Sequence, residues 1–252
     1  PADATGLARP VLELIALLDP GGQPAELWST PSVLNYLRTF RPARRRFLRR
    51  QQPPAITKQE VHAAFNCLRT YALITQDADR APIRIHALTA RALRETIPDA
   101  RLPFLARTAA DALCHLWPDP EHTDRDLAAT LRANSQVLDS HTHPHLWQPN
   151  LHNCILRTSN SLTRTGLYQQ AVEYDKKALQ RITDIYGPDH PNTLGARSNL
   201  AISHRKVGRT QEALELAERV LADRERVLGP DRPDALTARS MLDRWYAERD
   251  GA

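Results

Sequence analysis

The sequence predicts a mainly α-helical protein with one small β-hairpin, and three observations carry that prediction. First, the stretch from Leu151 to Asp234 repeats itself. Tyr186-Gly187-Pro188-Asp189-His190-Pro191-Asn192 returns 42 residues later as Leu228-Gly229-Pro230-Asp231-Arg232-Pro233-Asp234, and the same offset pairs Gly166 with Gly208, Ala171 with Ala213 and Leu179 with Leu221. A fixed period in this range marks stacked supersecondary units, each too small to bury its own apolar face. Second, 19 prolines against 9 glycines favour helices with sharp stops over a glycine-rich sheet. Third, Ala72-Leu73-Ile74-Thr75 and Ile83-Arg84-Ile85-His86 are short runs that read as two strands around a polar turn.

In chain order, residues 1–9 read as linker, and Val11, Leu12, Leu14, Ile15, Leu17 and Leu18 form a dense apolar helix stopped by Asp19-Pro20-Gly21-Gly22. A short helix start covers Pro24 to Trp28, and a helical piece Ser32 to Phe40. Thr57-Lys58-Gln59-Glu60 is a capping box, and Val61, Ala64, Phe65, Leu68 and Tyr71 follow at helical spacing on one face. The hairpin comes next, then a helix from Ala90 to Ile97. Helices followed by a hairpin and a closing helix within residues 1–100 predict a winged-helix domain. Phe104 to Trp117 and a helix from Thr123 or Asp124 to about Leu138 predict a helical connector over 101–150, and the repeats occupy 151–252.

The net charge of +5 is uneven: residues 1–100 hold 14 Lys/Arg and 9 Asp/Glu, and the remainder 20 of each. Six arginines, Arg41, Arg44, Arg45, Arg46, Arg49 and Arg50, concentrate it, with no acid between Leu27 and Gln59. Clustered arginine neutralises phosphates and releases counterions, so nucleic acid is an alternative partner for this segment. No interleaved polar base readers follow it, which favours a solvated basic face. No apolar run approaches the ~20 residues of a membrane span. The three cysteines, Cys67, Cys114 and Cys154, are odd in number and widely spaced, which suits reduced cytoplasmic thiols. Pro1 without a methionine suggests a fragment of a longer chain.

Leu12-Glu13-Leu14-Ile15-Ala16-Leu17-Leu18-Asp19-Pro20 resembles the opening of the winged-helix subdomain of actinobacterial NB-ARC-type STAND ATPases. So do Leu68-Arg69-Thr70-Tyr71-Ala72-Leu73-Ile74-Thr75 and Ile83-Arg84-Ile85-His86-Ala87-Leu88. In that family a Met-His-Asp or Val-His-Arg motif ends the wing, and its histidine touches the phosphate of bound ADP. The resemblance gives that role to His86, in Ile85-His86-Ala87, where Ala87 departs from the family's polar or charged residue. It also implies an upstream NB-ARC domain that binds ADP or ATP. This chain has no Gly-x-x-x-x-Gly-Lys-Ser/Thr run, so no cofactor is expected in the fragment itself.

From Leu151 the pattern resembles tetratricopeptide repeats of the 42-residue kind also found in kinesin light chains. Each unit is read as helix, turn at Gly166 or Gly208, second helix, and a Gly-Pro-Asp-x-Pro connector, with Asn192 or Thr193 and Asp234 as caps of the following helix. The array comprises two full units and a final helix. In this family the first helices line a concave surface. The matching stripe holds Asn153, Arg157, Asn160 and Arg164 in the first unit, Gly195, Asn199, Ile202 and Lys206 in the second, and Thr237, Met241, Arg244 and Glu248 in the third. Amides and cations without acids in the first two units suit an extended peptide carrying a carboxylate; the plain alternative is the wet face of an amphipathic helix.

His141, His143, His145, His152 and Cys154 are metal-ligand residue types, but their alternation in a proline-bearing loop reads as a structural linker and no metal site is predicted. No nucleophile and base share a workable context, so no catalysis is expected. The reading is the regulatory and sensor region of a STAND-type signalling protein, with a protein or peptide partner in the repeat groove. The rival classes are a winged-helix DNA-binding regulator using Arg41–Arg50 and a plain repeat scaffold.

Overall fold

The computed structural model describes residues 3–41, 54–78 and 80–250, and the chain divides into two compact units, Pro1–Thr158 and Ser159–Ala252. In the first unit, helix α1 (Ala8–Leu17) buries Val11, Leu12, Leu14, Ile15, Ala16 and Leu17 on nearly all sides. A helix apolar all round belongs inside a core. It is packed by α2 (Pro31–Phe40), α3 (Lys58–Thr70), α4 (Ala87–Arg94), α5 (Leu102–Leu116) and α6 (Arg125–Thr142). Its one acid, Glu13, is 2% exposed and is held by Arg9 and Arg101, each at 3.0 Å, and by the Tyr36 hydroxyl at 3.4 Å. A buried carboxylate is tolerated when its lone pairs are filled in this way.

The capping box forms as the sequence predicts. Thr57 Oγ1 accepts the Glu60 amide at 3.2 Å, and the Glu60 carboxylate accepts the Thr57 amide at 3.0 Å. Val61, Ala64, Phe65 and Leu68 are buried, but Tyr71 is exposed because α3 ends at Thr70 and Tyr71 is already its C-cap. Ala72 then takes a left-handed conformation (φ 53), so the first strand starts late. Strands β1 (Ile74–Thr75) and β2 (Arg84–Ile85) are two residues each, antiparallel, pairing Ile74 with Ile85 and Thr75 with Arg84. Gln23, between α1 and α2, adds a third rung by exchanging two 2.9 Å backbone bonds with Ile83. Helix α4 begins at Ala87 rather than Ala90, because His86 caps it.

One helix extends well beyond the sequence reading. Helix α6 runs to Thr142, so His141 is helical rather than in a loop, and its Nδ1–H donates to Leu17 O at 3.2 Å. Helix α7 (Asn153–Arg164) starts in the first unit and ends in the second.

In the second unit α8 (Tyr168–Tyr186), α9 (Pro191–Lys206), α10 (Thr210–Leu228) and α11 (Pro233–Asp250) pack in succession, α8 on α9, α9 on α10 and α10 on α11. Gly166 and Gly208 take φ 81 and 83 between helices, the left-handed conformation that a side chain disfavours. Pro191 sits in the first turn of α9, where its missing N–H costs nothing. His190 caps α9, accepting the Asn192 amide at 3.1 Å; Thr193, read as a cap, instead donates its hydroxyl to Gly187 O at 2.7 Å. Connector Asp189 takes two bonds from Arg226 of α10, which hold its carboxyl below the usual carboxylate range.

Candidate functional site

Helices α7 and α9 present the first-helix stripe. Asn160 and Arg164 are one turn apart on α7, and Asn199 and Ile202 lie on α9. With Ser159 and Thr163 they line a cavity of about 190 Å³. The predicted residues Asn160, Arg164, Asn199 and Ile202 are therefore brought together. Lys206, the last residue of α9, is exposed but does not line the cavity, and Asn153 and Arg157 lie in the first unit. Among the described residues Arg164 and Lys206 have no hydrogen-bond or ion-pair partner, so their charges are available to a ligand.

Beneath the cavity is a polar relay that the sequence reading missed. Asp175 of α8 is 2% exposed and accepts the Ser159 hydroxyl on one carboxylate oxygen and the Ser203 hydroxyl on the other, both at 2.6 Å. Asn199 Nδ2 donates to Ser159 Oγ at 3.4 Å, and Thr163 Oγ1 lies 3.4 Å from Ser203 Oγ. Burial raises the Asp175 carboxyl above its ordinary range, against the two serine bonds that lower it. On α9, burial lowers the imidazole of His204; Glu212 at 3.3 Å pulls the other way. The chemical result is an amide, Asn199, tethered through Ser159 to a fixed buried acid. The signal was present in the repeat offset: Asp175 stands where the second unit has Ala217, an acid in a stripe of small residues.

The corresponding place one unit later is closed. Arg205 lies over the Trp245 ring at 5.8 Å, donates to Glu248 at 2.8 Å and bonds Thr210 at 3.1 Å. Glu248, a stripe residue of the third unit, is thereby engaged internally.

In the first unit, His86 is exposed, and its Nδ1 accepts the Leu88 amide at 3.3 Å. An accepting Nδ1 leaves the proton on Nε2, a donor facing away from the cap. The chain itself supplies no Gly-x-x-x-x-Gly-Lys-Ser/Thr phosphate loop. Beside it Leu88 is 69% exposed. Of the basic segment, Arg41 is committed internally, to Glu60 at 2.7 Å and to Thr5 O at 3.1 Å. Arg44, Arg45, Arg46, Arg49 and Arg50 lie outside the described residues. No helix of the described residues is long and apolar enough to cross a membrane.

Comparison with known proteins bears on the repeats directly. Residues 153–224 and 195–251 match the tetratricopeptide-repeat family model. A "nucleotide-binding leucine-rich repeat (NLR)-like protein" of Hyaloscypha variabilis is 27% identical over 172 residues, which is 67% of this chain. The chain spans 17% of that relative's length. The C-terminal part of this mainly helical chain is a tetratricopeptide-repeat region.

Proposed function

We propose that the repeat region binds an extended, carboxylate-bearing segment of a partner protein, and that the N-terminal part is a winged helix regulating a nucleotide-binding domain of the STAND type. The observation that carries the first half is the cavity lined by Asn160, Arg164 and Asn199, with an unpaired guanidinium at its rim above a fixed amide. Asn160 and Asn199 would read peptide groups, and Arg164 a carboxylate, without catalysis. The second half draws on the order helix, Gln23 rung, helix, helix, hairpin, which is compatible with a winged helix, and on the name of the Hyaloscypha relative. His86 would donate Nε2–H to an ADP phosphate, and exposed Leu88 would lie against the nucleotide-binding domain. Partner binding that favours the open state would shift the population toward nucleotide exchange. The duplex-DNA alternative gains no observation from Arg41, which is already paired.

Affinity selection from a random peptide library tests the groove. Acidic peptides are the expected product, and Arg164→Ala weakens them about tenfold or more, the worth of a charge-assisted hydrogen bond. Selection of peptides without carboxylates, or equal affinity for the variant, overturns the groove reading. For the switch, His86→Ala in the longer protein that this reading requires speeds ADP release; unchanged retention overturns it.

A further inference from the structure

The buried acid of the first repeat junction also decides which way its polar neighbours face. Ser159 and Ser203 have one hydroxyl proton each, and each gives it to Asp175, on Oδ1 and Oδ2 respectively, at 2.6 Å. A hydroxyl whose proton is committed can only accept from a further partner. Two side chains that line the cavity meet these hydroxyls. Asn199 lies 3.4 Å from Ser159 Oγ and meets it with Nδ2, the only end of a carboxamide that can donate. Its Oδ1 has no partner among the described residues. Thr163 Oγ1 lies 3.4 Å from Ser203 Oγ and 3.4 Å from the carbonyl oxygen of Ser159. Neither atom can donate to it, so the threonine proton is turned toward them and its lone pairs remain for the cavity.

One carboxylate thereby sets the polarity of two groups that it does not touch. Asn199 and Thr163 offer oxygen lone pairs to the cavity, whereas Arg164 offers only donors. One period later Ala201 and Ala217 stand in place of Ser159 and Asp175, and neither side chain can carry such a chain of bonds.

We propose that Asp175 is a positioning residue that makes the floor of the groove a hydrogen-bond acceptor, so that the bound segment turns N–H donors to Asn199 and Thr163 and its carboxylate to Arg164. This rests on the groove reading above and narrows it. An extended backbone carries a row of N–H donors along its edge. A proline at the matching place lacks the donor and is rejected. Asp175→Asn keeps the shape of the acid but reverses one arm. Its carboxamide accepts from one serine and donates to the other, whose freed proton then swings outward. The side chain that met that serine, Asn199 or Thr163, is no longer held as an acceptor toward the groove.

The test has a ligand-free half and a ligand half, both on the full chain. With asparagine isotopically labelled, NMR is expected to place the Asn199 Nδ2 protons against the β-protons of Ser159. Nδ2 protons that instead contact Asn160 or Arg164 overturn the proposal, whether or not any peptide binds. For the ligand half, the tightest acidic peptide from the library selection is resynthesised with each backbone amide replaced in turn by an ester, which removes the N–H and keeps the shape. At least one ester is expected to weaken binding about threefold or more, the worth of one hydrogen bond. Asp175→Asn loses sensitivity to such an ester, whereas a merely structural role for Asp175 would weaken every analogue alike. Should that variant not fold, Ser159→Ala frees Asn199 alone and is expected to cancel the ester penalty at the amide facing it. Full tolerance of every ester by the wild-type chain, or ester penalties unchanged in both variants, overturns the proposal. Recovery of no binding peptide overturns the groove reading instead, and the NMR result still decides how Asn199 is turned.

Discussion

The two junctions of the repeat region are built from aligned positions and solved in opposite ways. Between α7, α8 and α9 the aligned triplet is Ser159, Asp175 and Ser203; one period later, between α9, α10 and α11, it is Ala201, Ala217 and Trp245. The first is a hydrogen-bonded acid with two hydroxyls. The second is a dry cluster in which Ala201, Ala213, Leu214, Ala217, Leu242 and Trp245 pack together. The difference decides where an opening can exist. Small hydroxyl residues at Thr163 and Ser203 leave a cavity at the first junction, whereas Arg205 and Trp245 at the matching positions fill the second. One repeat template thus yields an open junction and a closed one.

The strongest way to break the comparison is through the dry junction. Trp245→Ala removes a nearly buried ring from a well-packed cluster and is expected to cost about 3–5 kcal/mol by chemical denaturation, with α11 losing protection from hydrogen exchange first. A loss near zero would mean that the second junction is not held by this side chain.

The polar junction predicts a smaller effect with a distinctive pattern. Asp175→Ala strands the Ser159 and Ser203 hydroxyls in a buried site and is expected to cost about 1–3 kcal/mol. Adding Ser159→Ala and Ser203→Ala converts the triplet to apolar residues and recovers most of that loss, because no polar group is then left unsatisfied. If the triple variant is less stable than the single one, the serines contribute independently of the acid.

The smallest effects are in pH. Asp175 has a folded pKa raised by burial above its unfolded value of 3.8, so its contribution is full below 3.8 and lost as pH rises through the folded value. His204 has the opposite sign: burial lowers it from 6.5, so its contribution is full above 6.5 and lost as pH falls through the folded value. Thermal melts across pH are expected to show Asp175→Asn flattening the first dependence and His204→Gln the second. The six buried residues of the dry cluster carry no titratable group, so Ala217→Ser leaves both slopes unchanged.

Much of this was legible in the sequence because local chemistry dictates it. The Thr57 and Glu60 box, the left-handed Gly166 and Gly208, and the amide and cation stripe at Asn160, Arg164 and Asn199 each follow from residue type and spacing. What was not legible depends on neighbours remote in the chain. Ala72 turns left-handed where an alanine would ordinarily extend, which shortens the hairpin. The repeat offset marks Asp175 as unusual, but its partners Ser159 and Ser203 come from two other helices and cannot be read from its own segment. His190 was passed over as a cap because imidazole is not among the usual capping side chains.

The buried acid also bears on how the array assembles. Near-identical units invite misassembly, in which the second helix of one unit stacks where that of another belongs. In its own place Asp175 is met by hydroxyls from both flanking helices. Stacked in place of α10 it would face Ala201 and Trp245 and leave an uncompensated buried charge, a penalty of about 3–5 kcal/mol. A single carboxylate therefore works against one wrong order of two look-alike units.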